Sequence, residues 1–157
     1  MKVNKIIKSV EEAELEIIGA TLLSIEEAEK LPMRLKRYDE CWWTRSPGDG
    51  SNSVLYIEKD GWVYRSGHQV TNFEYSLCMV RPALEISNLK SSNLEIGDIF
   101  NFGKREFEVI SDSLAFCTMD IGEYEFDYYS NDYENSEIKE YVDRWFNKVI
   151  ANKEYID

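Results

Sequence analysis

Catalysis in proteins commonly starts from histidine, cysteine or paired carboxylates. This sequence offers one histidine, three cysteines and 30 acids in 157 residues. His68 stands in a polar stretch with no second ligand at metal spacing, so metal-assisted hydrolysis is not indicated. No G-x-S-x-G turn accompanies the abundant serines. Neither G-x-x-x-x-G-K-S/T nor G-x-G-x-x-G occurs, so no phosphate cradle is legible. "DGSNS" at 49–53 could offer oxygens to calcium but lacks the twelve-residue loop pattern of a known calcium hand. Carboxylates are plentiful, yet abundance is not a catalytic pair. Cys41, Cys78 and Cys117 are odd in number and far apart, without C-x-x-C, and read as small buried hydrophobes rather than a disulfide framework. The chain is therefore expected to be a non-enzyme without catalytic residues, metal or cofactor.

The unusual chemistry lies elsewhere, in "CWWTRSPGDG" (41–50) and "VRPALEI" (80–86). Alternation along a strand puts Trp42 and Thr44 on one face and Trp43 and Arg45 on the other. Arg45 and Arg81 can clamp loops, because guanidinium binds carbonyls or carboxylates in fixed geometry. Trp42, Trp43, Arg45 and Arg81 are thus either a structural signature or an aromatic-plus-arginine ligand platform.

Charge is unevenly spread. Residues 1–86 hold 11 basic against 14 acidic side chains, and residues 87–157 hold 7 against 16. Between Asp120 and Asp143 nine acids face a single base, Lys139. Such a field repels nucleic acid, whose binding needs cations, and suits a basic protein surface. Tyr124, Phe126 and Tyr128 have the period of a strand with rings inward, whereas Tyr129 and Tyr133 break it and are expected at the surface. Tyr129, Asp132, Tyr133, Glu134 and Glu137 are the candidate contacts for such a partner.

The elements that must position these residues can be read in outline. Ser9–Glu12 and Ser24–Glu27 both have S-x-x-E spacing, a capping box at a helix start. "LEIIGATLL" between them reads as a strand. "VLYIEKDGWVYRSG" predicts a hairpin with a two-residue turn at Asp60-Gly61, and "LCMVRPALEI" (77–86) reads as one further strand. "IFNFGKREFEVI" predicts a second hairpin at Gly103-Lys104, followed by a strand in "LAFCTM". Ile138, Val142, Trp145, Phe146, Val149 and Ile150 form one stripe of an amphipathic helix of about four turns, with Ser136 as N-cap. The fold class expected is α+β, with antiparallel strands and hairpins and two or more helices. The organisation expected is a lobe over 1–87 and an acidic lobe over 88–157, which could form one compact domain.

The strings "LLSIEEAEKLPMRLKRYDECWWTRSPG", "DGWVY" and "VRPALEI" resemble a bacterial and phage domain family of unknown function. Its members carry W-W-x-R-S-P-G, a D-G hairpin and V-R-P-A-L. "IGDIFNFGKREFEVISD" and "IKEYVDRWFNKVI" resemble that family's other half, so the resemblance covers roughly 15–157. In many members the F-G-K half comes first; here it comes last, which implies a permuted order or a lobe shared with a neighbouring domain. The family is similar in architecture to C-type-lectin-like folds, a likeness of fold that does not transmit function. The function expected is a non-enzymatic binding module presenting loops 48–53 and 66–76 to a protein or other ligand. The alternative is an acidic, phage-encoded inhibitor, an anti-defence factor or nucleic-acid mimic, that blocks a basic protein surface. No apolar run approaches the roughly 20 residues of a membrane span, and a cytoplasmic location is expected, the host's if the source is a phage.

Overall fold

The structure, a computed structural model, describes residues 8–49, 53–69 and 77–151, with backbone alone for 64–69. The fold is mixed α+β. In chain order the elements are β1 (Lys8–Ser9), α1 (Val10–Ala13), β2 (Ile17–Thr21), α2 (Ile25–Glu29), α3 (Met33–Lys36), β3 (Trp42–Pro47), β4 (Ser53–Ile57), β5 (Val63–Gln69), β6 (Leu77–Met79), β7 (Ala83–Ile86), β8 (Ile99–Phe102), β9 (Arg105–Val109), β10 (Leu114–Cys117), β11 (Glu123–Glu125) and α4 (Glu137–Ala151). They build a six-stranded sheet in the order β1-β8-β9-β10-β7-β2 and a five-stranded sheet in the order β11-β6-β3-β4-β5. Pairing is antiparallel except for β1 with β8 and β3 with β6. The larger sheet draws on both halves of the sequence, since β7 pairs with β10.

Local chemistry explains the short helices. Both capping boxes form: Ser9 with Glu12 at α1, and Ser24 with Glu27 at α2. Each satisfies amides that a single helical turn would leave bare. One further helical turn, α3, follows Pro32 and was not legible as a helix. Its Arg34 grips Glu108 of β9 with two hydrogen bonds, 2.8 and 2.7 Å long.

The two hairpins differ in their turns. At Gly103-Lys104 both residues have positive φ, 61° and 60°, as a two-residue type I′ turn requires. At the first hairpin only Gly61 does, with φ 92°. Glu58 N–H bonds the Trp62 carbonyl and Gly61 N–H bonds that of Glu58. The loop therefore has three residues, a type I turn closed by a left-handed glycine, and not the two expected.

The stretch 77–86 is two strands rather than one. β6 and β7 lie in different sheets, and Val80–Arg81–Pro82 carries the chain from one to the other. Pro82, with no N–H to give, sits in this link and offers its carbonyl to Cys117 N–H.

Three apolar clusters fill the interior. One lies under the larger sheet, around Phe100, Phe107 and Val109. A second holds Trp43, Tyr56, Phe126, Ile138 and Val142. A third packs α2 and α3 against Trp42, Ile57 and Phe116. The stripe of α4 is shared: Ile138 and Val142 serve the second cluster, while Trp145, Phe146 and Val149 pack on the first. Ile150, at the end of the stripe, is exposed.

The cysteines correct the sequence reading. Cys41 and Cys78 form a disulfide across 37 residues, with Cα atoms 5.2 Å apart, and Cys117 is free and buried. The cause is the parallel register of β3 with β6, Trp42 opposite Met79, which no local spacing announces.

Candidate functional site

The tryptophan–arginine group lies in the interior. Trp42 and Trp43 are fully buried on opposite faces of β3, one in each of two clusters. Each indole N–H has a carbonyl partner, Lys36 at 2.9 Å for Trp42 and Tyr124 at 2.8 Å for Trp43. Arg45 donates to the Leu22 carbonyl at 2.6 Å and to Glu27 at 2.9 Å, so it holds the capping box of α2 in place. The Ser46 hydroxyl adds a bond from Ile25 N–H at 2.9 Å. The Glu27 carboxyl is pushed up by burial, but the Ser24 amide and Arg45 outweigh this and leave it below its ordinary value.

Arg81 is 1% exposed. Its guanidinium donates to the carbonyls of Leu35, at 2.8 Å, and Met119, at 3.2 Å. It lies over three rings, 4.4 Å from Tyr38, 4.9 Å from Trp42 and 4.4 Å from Phe116. Burial lowers its pKa to about 10, which leaves it a cation at neutral pH. Trp42, Trp43 and Arg81 thus have no face open to a ligand, and Arg45 is committed to α2.

The surface features gather on the acidic segment. β11 ends at Glu125, Phe126 turns inward to Trp43, and the strand period stops there. Tyr128, expected inward, is 58% exposed, and Tyr129 is 81% exposed. Their rings meet edge to face with centroids 4.7 Å apart. Tyr133, expected at the surface, is 5% exposed against Phe126. Burial pushes its hydroxyl up to about 12.

The loop that carries the two exposed tyrosines is tied down. The buried Asp127 carboxylate accepts from the amides of Tyr129, Ser130 and Glu137 at 2.8–2.9 Å. Glu137 in turn accepts from Tyr128 N–H at 2.9 Å, and Asn131 donates to the Ser53 carbonyl of β4 at 3.1 Å. Asp132 accepts from Glu134 N–H and from the Asn135 amide. The Ser136 hydroxyl accepts from Lys139 N–H at 3.1 Å, the N-cap expected of α4. Two of the candidate acids, Asp132 and Glu137, thus also hold the backbone, while Glu134 projects as an exposed carboxylate.

A rigid loop presenting two tyrosine faces amid carboxylates can receive cationic side chains, by ring–cation attraction and by ion pairing. Tyr128 escaped the sequence reading because nothing in the string marks where β11 ends. Of the loops expected to present ligand contacts, residues 50–52 and 70–76 lie outside the described residues, and so does the side chain of His68. Among the described residues no cluster of His, Cys, Asp or Glu is arranged to hold a metal ion, and no helix is long and apolar enough to cross a membrane. In comparisons with known proteins, no family model, no curated protein and no solved structure matches this chain.

Proposed function

We propose that this chain is a non-enzymatic binding module whose 127–137 loop engages a protein partner through a basic surface. One observation carries the reading: Tyr128 and Tyr129 stand exposed side by side on a loop that Asp127 holds rigid. Large exposed rings cost solubility, and tyrosine is favoured at interfaces because it adds contact area with few rotamers to freeze. A pre-ordered loop loses little further entropy on binding. The surrounding carboxylates select a basic partner and speed its approach. A C-type-lectin-like scaffold, read from the W-W-x-R-S-P-G and V-R-P-A-L strings, suits this role, since a stable frame separates folding from loop-borne recognition.

The experiment is differential capture from a cell extract on immobilised wild type and on Y128S/Y129S. The expected result is a basic protein held by the wild type, lost from the variant, and released as salt rises. Equal capture by both, with matched melting temperatures, would overturn the reading. The alternative role, an acidic inhibitor that covers a basic groove, uses the same surface; it predicts that the captured partner loses activity on binding.

A further inference from the structure

The tyrosine loop hangs from the edge of the five-stranded sheet. It begins two residues beyond β11, the outermost strand of that sheet, and β11 pairs with β6 at Glu123–Met79, Tyr124–Cys78 and Glu125–Leu77. β6 has three residues and meets β3 at one register position among the described residues, Trp42 opposite Met79. Met79 N–H bonds the Cys41 carbonyl there at 2.9 Å. The ribbon of β6 and β11 is thus well paired within itself and thinly paired to the rest of its sheet.

The Cys41–Cys78 bond crosses this same seam. Cys78 stands opposite Tyr124 in the register of β6 with β11. The Tyr124 carbonyl takes the Trp43 indole N–H at 2.8 Å, Phe126 packs on Trp43, and Asp127 follows. A short run of contacts therefore joins the disulfide to the carboxylate that holds the amides of Tyr129 and Ser130. By contrast, β4 pairs with both β3 and β5 over several positions, and the larger sheet has its own apolar cluster. Opening the disulfide removes the covalent tie where the backbone pairing is thinnest. The two cysteines also differ in access: Cys78 is 1% exposed, whereas Cys41 is half-buried.

We propose that the Cys41–Cys78 bond is a redox lock on the tyrosine loop, opened by a dithiol reductant. A thiolate of the reductant attacks Cys41 Sγ, the S–S bond breaks, and Cys78 leaves as a thiolate that takes up a proton. The reductant's second thiol gives up its proton and displaces Cys41 from the mixed disulfide, and Cys41 is protonated in turn. Two electrons and two protons have then passed to the protein, and the reductant ends as a cyclic disulfide. Once opened, the β6–β11 ribbon loosens from β3 while the rest of the fold stands, and Tyr128 and Tyr129 lose their fixed setting. A loosened loop loses more entropy on binding, so the oxidised form is the binding form. That last step rests on the binding function proposed above.

The test is backbone amide NMR relaxation of the full chain, oxidised and in excess dithiothreitol. Order parameters at 128–130 are expected to fall from about 0.85 to below about 0.6 on reduction, while those of β8, β9 and β10 stay near 0.85. C41S/C78S without reductant is expected to show the same pattern. Values near 0.85 at 128–130 in both states would overturn the lock and leave the loop reading standing. Values below about 0.6 in the oxidised protein as well would overturn lock and rigid loop together. Loss of dispersed resonances throughout the molecule on reduction would show a bond needed by the whole fold, and would also overturn the lock. Thiol titration of the denatured, unreduced chain is expected to find Cys117 alone; reaction at Cys41 and Cys78 as well would remove the lock's premise. In the capture experiment, bait kept reduced is expected to hold the basic partner about fivefold less strongly. Equal capture by both forms would overturn control of binding by the disulfide.

Discussion

At the scale of single residues, Arg81 shows how a buried cation can be held without a carboxylate bonded to it. Two carbonyls and three aromatic faces take the place of that partner. This arrangement depends on a flat guanidinium that can bond in its plane and stack above and below it. Lysine keeps the charge but has neither property, so Arg81→Lys is expected to destabilise the protein by about 2–3 kcal/mol, the cost of a buried charge with lost hydrogen bonds. Urea denaturation at neutral pH measures it, and a loss under about 0.5 kcal/mol, the level of a neutral surface change, would contradict this account of the site. Arg45 works differently, by reaching from β3 into the capping box of α2. Its partner residues Ser24 and Glu27 are legible in the sequence as a cap; the arginine that secures them is not, because it comes from a separate strand.

At the scale of elements, α4 joins two apolar clusters with one stripe. Trp145 is half-buried, packed edge-on to Phe102 at 5.8 Å and tilted against Phe107 at 6.1 Å, close beneath the Gly103 turn. Trp145→Ala is expected to cost about 2–4 kcal/mol, somewhat less than a fully enclosed tryptophan would. Thermal or urea unfolding checks it, and a change below about 1 kcal/mol would place the ring outside the core. The helix, its N-cap, both capping boxes and both hairpins were legible because each depends on residues within a few positions. The split of 77–86 into β6 and β7 was not. Leu77–Met79 and Ala83–Ile86 are each good strand sequences, and the inward turn of Arg81, toward the rings of Tyr38, Trp42 and Phe116, separates them. The surface position of Tyr128 was hidden for a related reason: the end of β11 is fixed by its partner β6 and not by its own residues.

At the scale of the whole molecule, the Cys41–Cys78 bond ties the start of β3 to β6 and encloses β3, β4 and β5 in one covalent loop. Closing a loop of that length restricts the unfolded chain, which a chain-entropy account values at about 4 kcal/mol. The urea midpoint is expected to fall on adding a reductant, and C41S/C78S is expected to match the reduced protein. A reductant that leaves the midpoint unchanged would mean that the bond contributes nothing to stability. No sequence spacing predicted this pair, since its proximity is a product of the parallel β3–β6 register. The charge asymmetry of the sequence was legible and has a spatial outcome. Glu123, Glu134, Glu137 and Glu140 all lie exposed on the segment that carries the two tyrosines.

The strand order also has a consequence for synthesis. β2 pairs with β7 and can do so once residue 86 has left the ribosome, but β1, made first, pairs with β8 some ninety residues later. Phe116, which packs on both Trp42 and Arg81, comes later still. A nascent chain therefore carries the two tryptophans and a cation for a long stretch of its elongation before Phe116 and Phe126 arrive. Contacts of such sequence separation form slowly and leave apolar surface open while they wait. Only when α4 emerges can both clusters close, so the last fifteen or so residues of the described chain act as the clasp that completes folding.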